Sequence, residues 1–162
     1  MNLDYVKKPI LFIIILTIFS IIHELGHAIA AILTGGECLA IGFDFTNFCY
    51  YCKIKYYTIE GYRITVAAGS ATSCGLAFIV NLYSYKKKWI FLYSVSKIML
   101  FSELMYWTIS PLIGLGDGFV FFSSFEGVNP AFFSTLFLGL LTCLIVIYYK
   151  NASMIIRINI LQ

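Results

Sequence analysis

The sequence predicts an all-α membrane protein of about four transmembrane helices, with a small extramembrane β-hairpin between the first and the second. Three observations carry that expectation. The 162 residues are 60% hydrophobic and only 12% charged, and the mean hydropathy of +0.89 lies far from the near-even mixture of a soluble domain. Apolar blocks recur at lengths matching the ~20 residues needed to cross ~30 Å of hydrocarbon. One extended polar and aromatic section, Thr34 to Gly61, separates the first two blocks. A chain of this length has room for a single membrane-embedded domain over residues 1–162, with a motif-bearing core at 9–125 and a final span at 131–149.

The first block, Pro9 to Leu33, is interrupted only by Thr17, Ser20 and the group His23, Glu24, His27. The second, Tyr62 to Tyr83, carries Ala67, Ala68, Gly69, Ser70, Ala71 and Gly75, small residues that let helices approach closely in lipid. The third, Trp89 to about Phe125, is too long for one straight crossing and is broken by Pro111 and several glycines. Ala131 to Tyr149, between Pro130 and Lys150, supplies the fourth. Between the first two, the alternating "KIKYYTI" and the turn residues "TGG" and "EG" predict a short hairpin or sheet edge at the outer membrane face.

Charge sets an orientation. Lys7 and Lys8, the run Lys86 to Lys88, and Lys150 with Arg157 all fall on one side of four crossings, so the positive-inside rule places both termini in the cytoplasm of a multi-pass integral membrane protein. The net charge of +3 is small and sits at the ends of apolar runs, where the lipid bilayer rather than nucleic acid is the partner. "KKPILFIIILTIFSII" followed by "AIA" imitates a signal peptide and its cleavage site. The apolar run continues to Leu33, which favours an uncleaved span.

Five cysteines are present, an odd number. Cys38, Cys49 and Cys52 share the polar section, the last two as "CYYC". Outside the cytoplasm Cys49 and Cys52 can oxidise; a lone CxxC is also a metal half-site, or two small residues in an aromatic loop. With no second CxxC, an independent zinc site is not expected there.

The chemistry concentrates in "SIIHELGHAIA". His23 and His27 are the only histidines in the chain, and residues four apart on a helix share a face, so both imidazoles can reach one metal. Glu24 projects beside them, placed to take a proton from a water that zinc has acidified. A glutamate near the bilayer centre costs at least ~2.5–3.5 kcal/mol to insert, which marks it as functional. The plain alternative is a polar helix face hydrogen-bonding to its neighbours.

Two histidines do not complete a zinc site, which takes three protein ligands and a water. Cys74 and Cys143 are candidates, although a buried cysteine is more often a small hydrophobe. Asp117, in "GLGDG", is the better one, because flanking glycines let the chain leave the helix and turn a carboxylate inward. Depth agrees: His27 lies ~27 Å along a helix begun at Pro9, and Asp117 ~28 Å along one begun near Ile98, with "KKKWIFLYSVSK" at the interface. Glu103 is assigned a structural hydrogen bond to a tyrosine or serine, outside the metal set. Lys97, six residues away, lies on another helix face.

With HELGH in the first span, a hairpin-like segment, "AAGSATSCG" in the second span and "GLGDG" in the third, the chain resembles the site-2 protease family of intramembrane zinc metalloproteases over roughly Ile21 to Gly118. The resemblance implies one zinc per chain held by His23, His27 and Asp117, with Glu24 as general base. It also implies membrane-protein substrates, cut within or near transmembrane segments. Two features depart from the family's pattern. Ser70 and Ser73 stand where a proline and an asparagine are usual in the second helix, and "ISPLIGLGDG" has no asparagine before the aspartate. Such asparagines orient substrate or the oxyanion; Ser73 and Ser110 are the available replacements. A relative that binds zinc or transmembrane segments without cutting is therefore the alternative to an endopeptidase. A metal transporter would need more ligands along its path than two histidines offer.

Overall fold

The computed structural model describes residues 4–46 and 49–143, which are mostly helical with one two-stranded sheet. Helix α1 spans Asp4–Leu33, followed by β1 (Glu37–Asp44), β2 (Cys49–Lys55), α2 (Ile59–Lys86), α3 (Ile90–Ile113) and α4 (Gly116–Ser123). A fifth helix, α5, covers Pro130–Cys143. The chain forms two compact units, Met1–Met105 and Tyr106–Gln162, whose boundary falls within α3.

Among the described residues two helices are long and apolar enough to cross a membrane, Val6–Leu33 and Ile59–Lys86, and a third span results if α3 and α4 count as one bent crossing. The fourth predicted span is described only as far as Cys143; the rest of it, with Lys150 and Arg157, lies outside the described residues. The distribution of side chains suits a lipid solvent. Ile13, Ile29, Leu33, Ile79 and Ile90 are exposed, whereas the largest wholly buried side chains are serines and threonines, Thr65, Ser73, Ser84 and Ser96 among them. In hydrocarbon, hydroxyls gain from facing other helices and aliphatic side chains lose nothing by facing out.

In the first unit, Phe19, Ala77, Val95 and Met99 form a core, with Phe12, Ile15, Leu16, Leu76, Phe91 and Leu100 packed on it. These residues tie together α1, α2 and the first half of α3. Above that core the helices come close for want of side chains. A Cβ on Gly26 would stand 2.6 Å from Thr72 Oγ1 and 2.7 Å from the Ala68 carbonyl oxygen, so α1 and α2 touch backbone to backbone there. Gly26 thus faces α2 and serves this packing.

The turn expected at "TGG" is present, and it closes helix α1. Gly35 takes a φ of +81°, the Gly36 amide donates to the Ala31 carbonyl and the Gly35 amide to that of Ile32, which closes a Schellman cap. The strands then pair antiparallel, Glu37 opposite Lys55 and Asp44 opposite Cys49, with an irregularity between Cys38 and Ala40. "EG" proves to be the first turn of α2 and not a turn of the hairpin, because Thr58 caps the helix by accepting from the Gly61 amide at 2.9 Å.

The third block starts where expected, with helix α3 beginning at Ile90 beside Trp89. Of the two kinds of breaker expected in it, Pro111 stays inside α3 at the cost of one backbone hydrogen bond, and the glycines make the break. It falls at Gly114 and Gly116, with φ of +73° and +81°, where the Leu115 amide donates to the Ser110 carbonyl and α4 leaves at 59°.

Candidate metal centre

Helix α1 places His23 and His27 one turn apart, their ring centroids 4.8 Å apart and near perpendicular at 80°. Together with Glu24 they form a group whose ligand atoms all lie within 4.8 Å of one another, close enough to hold a metal ion. Spacing alone requires only that the two rings share a face. Other helices decide which nitrogen of each ring points where.

The Nδ1 of His27, a buried residue, lies 2.7 Å from the backbone carbonyl oxygen of Thr65 on α2. A carbonyl only accepts, so Nδ1 carries the proton and Nε2 keeps its lone pair, the state a metal requires. For His23 the corresponding group is Glu103 on α3, with its Oε1 3.4 Å from Nδ1. Ser73 on α2 donates to that same oxygen at 2.6 Å and stands 3.5 Å from Nδ1. Both rings are therefore oriented from their Nδ1 side, by a carbonyl and by a carboxylate, as in metal sites where an outer partner fixes the ligand tautomer.

The Nε2 atoms meet on the opposite side, at Gly69. A Cβ on that residue would lie 2.4 Å from His27 Nε2 and 2.8 Å from His23 Nε2. Glycine at this position is what lets α2 lie against both Nε2 atoms. The donor set fits a divalent transition metal. A cavity of about 180 Å³ adjoins the group, lined by Phe19, Ser20, His23, Glu24, Tyr50, Met99 and Glu103. Tyr50 comes from β2, so the hairpin forms one wall.

The serine expected to stand in for an asparagine has another employment. Ser73 has a single hydroxyl hydrogen, and its shortest contact is Glu103. Glu103 is the residue the sequence reading left aside. Its expected serine partner is present, but the same carboxylate also touches a site histidine. Only the position of a glutamate inside an apolar helix signalled it, since its contacts lie 30 residues and more away in sequence.

Asp117 belongs to the second unit, in the first turn of α4. Its amide donates to the Tyr106 hydroxyl at 3.2 Å, and a Cβ on Gly116 would collide with that hydroxyl at 2.0 Å. The second replacement serine, Ser110, is buried against Gly118 in the same unit.

In the hairpin, Cys49 is exposed and Cys52 half-buried. Strand residues three apart point to opposite faces, so "CYYC" cannot join its own ends, and Cys52 instead lies 3.7 Å, sulfur to sulfur, from Cys38 on β1. Burial, the neighbouring Cys38 and the charge of Glu24 push the Cys52 thiol up to about 12. Comparison with family models, with curated proteins and with solved structures returns no match.

Proposed function

We propose that this chain is an integral-membrane zinc endopeptidase that hydrolyses peptide bonds within or near transmembrane segments of membrane proteins. The observation that carries the reading is the grouping of His23, His27 and Glu24 with their ligand atoms within 4.8 Å of one another, both Nε2 atoms beside Gly69, inside a helix long and apolar enough to cross a membrane. Two imidazoles and a nearby carboxylate suit zinc, one ion per chain, and Asp117 is the third ligand in this reading on the strength of the motif it shares with the site-2 protease family. When bound, zinc supplies Lewis acidity toward a scissile carbonyl and acidifies water.

The chain's own residues do the rest. Glu24 takes the proton of the attacking water and returns it to the departing amine nitrogen. The Thr65 carbonyl keeps the His27 ring in its ligand tautomer, while Glu103, held by Ser73, does so for His23. The adjoining cavity, with Tyr50 of the hairpin in its wall, is the place where water and substrate would reach the group. Lys7 and Lys8 in the first turns of α1 and the run Lys86 to Lys88 at the end of α2 support, by the positive-inside rule, a cytoplasmic side for both termini in this reading.

A second reading, a relative that binds zinc or transmembrane segments without cleavage, is favoured by one observation. Ser73 gives its hydrogen to Glu103, which leaves no hydroxyl donor there for an oxyanion. One experiment separates the two. In proteoliposomes with zinc and a panel of helix-destabilised transmembrane substrates, the wild type should carry one zinc and cut, and Glu24→Gln should keep zinc and not cut. The His23→Ala, His27→Ala double variant should lose both. Zinc retained by the double variant sinks the site assignment, and zinc without cleavage in the wild type selects the silent relative.

A further inference from the structure

We propose that Cys38 and Cys52 are a modification site, a dithiol that closes reversibly to a disulfide across the hairpin. The inference is independent of the metal reading. Cys38 pairs with Ile54, and Cys52 lies two residues from Ile54, so the two cysteines are diagonal neighbours on one face of the sheet. Their sulfurs stand 3.7 Å apart, against about 2.05 Å in a bond. The irregularity between Cys38 and Ala40 lies directly beside the pair, where an extra residue gives β1 the slack to close that gap. Cys49 is exposed, on the opposite face from Cys52, and takes no part.

The oxidant is a small-molecule disulfide of the glutathione class. A thiolate of the pair attacks one of its sulfurs and expels a first thiol; the other cysteine then attacks the mixed disulfide, forming the Sγ–Sγ bond and expelling a second thiol. One disulfide is consumed for one made, and the two thiol protons leave with the two expelled thiols. In the orientation the lysines imply, the hairpin faces the non-cytoplasmic side, where such oxidants are found. Closure ties β1 to β2 on the sheet that packs against α1, next to the cavity wall formed by Tyr50.

The test uses the full chain in detergent, freed of metal by a chelator, treated with oxidised glutathione and then with a maleimide. Intact mass and peptide mapping should show two of the five cysteines lost to labelling, with a Cys38 to Cys52 crosslink that dithiothreitol reverses. Amide exchange in the hairpin should slow, by up to on the order of a hundredfold for a loop of this size. Cys49→Ser should leave this crosslink unchanged, and Cys52→Ser should leave Cys38 glutathionylated. A crosslink through Cys49, or a pair that stays open to label, overturns the proposal. So does protection that appears only with added zinc and vanishes with chelator, which would make the pair a metal half-site.

Discussion

Replacing Gly69 by alanine adds one methyl group where the two imidazoles converge. The new Cβ would stand 2.4 Å from His27 Nε2 and 2.8 Å from His23 Nε2, and ordinary contact begins near 3.4 Å. The His27 ring must therefore retreat by about 1.0 Å, yet Thr65 holds its other nitrogen at 2.7 Å. Metal–ligand distances tolerate only about ±0.2 Å, so the displacement is about five times what a bound ion allows. The expected result is a fall in zinc affinity of at least about 100-fold, or about 2.8 kcal/mol, with an overpacking cost to stability of ~1–3 kcal/mol. Chelator competition in detergent measures the first, and thermal unfolding the second. Gly75→Ala is the control on the same helix, since a Cβ there meets nothing within 4 Å; it should bind zinc as the wild type does. A folded Gly69→Ala protein with unaltered zinc affinity would refute the placement of the ion.

Glu103→Gln should weaken zinc binding ~10–100-fold without abolishing it, because it alters the group that orients His23 and not a ligand; zinc lost outright would make Glu103 itself a ligand. Asp117→Ala should lower zinc affinity sharply with membrane insertion unchanged, and zinc that survives loss of Asp117 but not of Glu103 would replace one by the other in the ligand set. Burial and its neighbours raise the Cys52 thiol from 9.0 to about 12, so near neutral pH it stays protonated in both folded and unfolded chains. Above about pH 9 the unfolded chain gives up this proton more readily than the folded one, and the contribution to stability is lost as pH rises toward 12. Iodoacetamide at about pH 8 should thus label exposed Cys49 well before Cys52, with the gap narrowing at higher pH; equal rates at about pH 8 would contradict this.

What the sequence made legible follows the range of each interaction. HELGH could be read because a helix turns spacing directly into a shared face, and "TGG" because a turn at paired glycines is local, although that turn closes α1 and not the hairpin. That Cys52 faces Cys38 and not Cys49 needed the strand bounds and the pairing register, which no spacing supplies. The orientation of His27 was beyond any reading of side chains, since its partner is a main-chain carbonyl. A serine partner for Glu103 could be expected from its chemistry, but that the serine is Ser73 and that His23 stands beside it depends on other helices. Of Pro111 and the glycines, both expected to break the third block, proline only weakens the helix and the two glycines end it, since they reach positive φ without strain. Asp117 keeps the role its motif implies, as a proposal.

The clamping of the two rings from separate helices has a consequence for biogenesis. As α1 enters the bilayer it brings both imidazoles with it, but neither ring is fixed: the carbonyl that sets one arrives with α2, and the carboxylate that sets the other arrives with α3. A half-inserted chain would thus be a poor scavenger of metal, and ion capture becomes a late event that reports completed helix assembly. Were the proposed ion bound, binding to the assembled state alone would pull the packing equilibrium forward, and metal supply would act on the yield of folded protein.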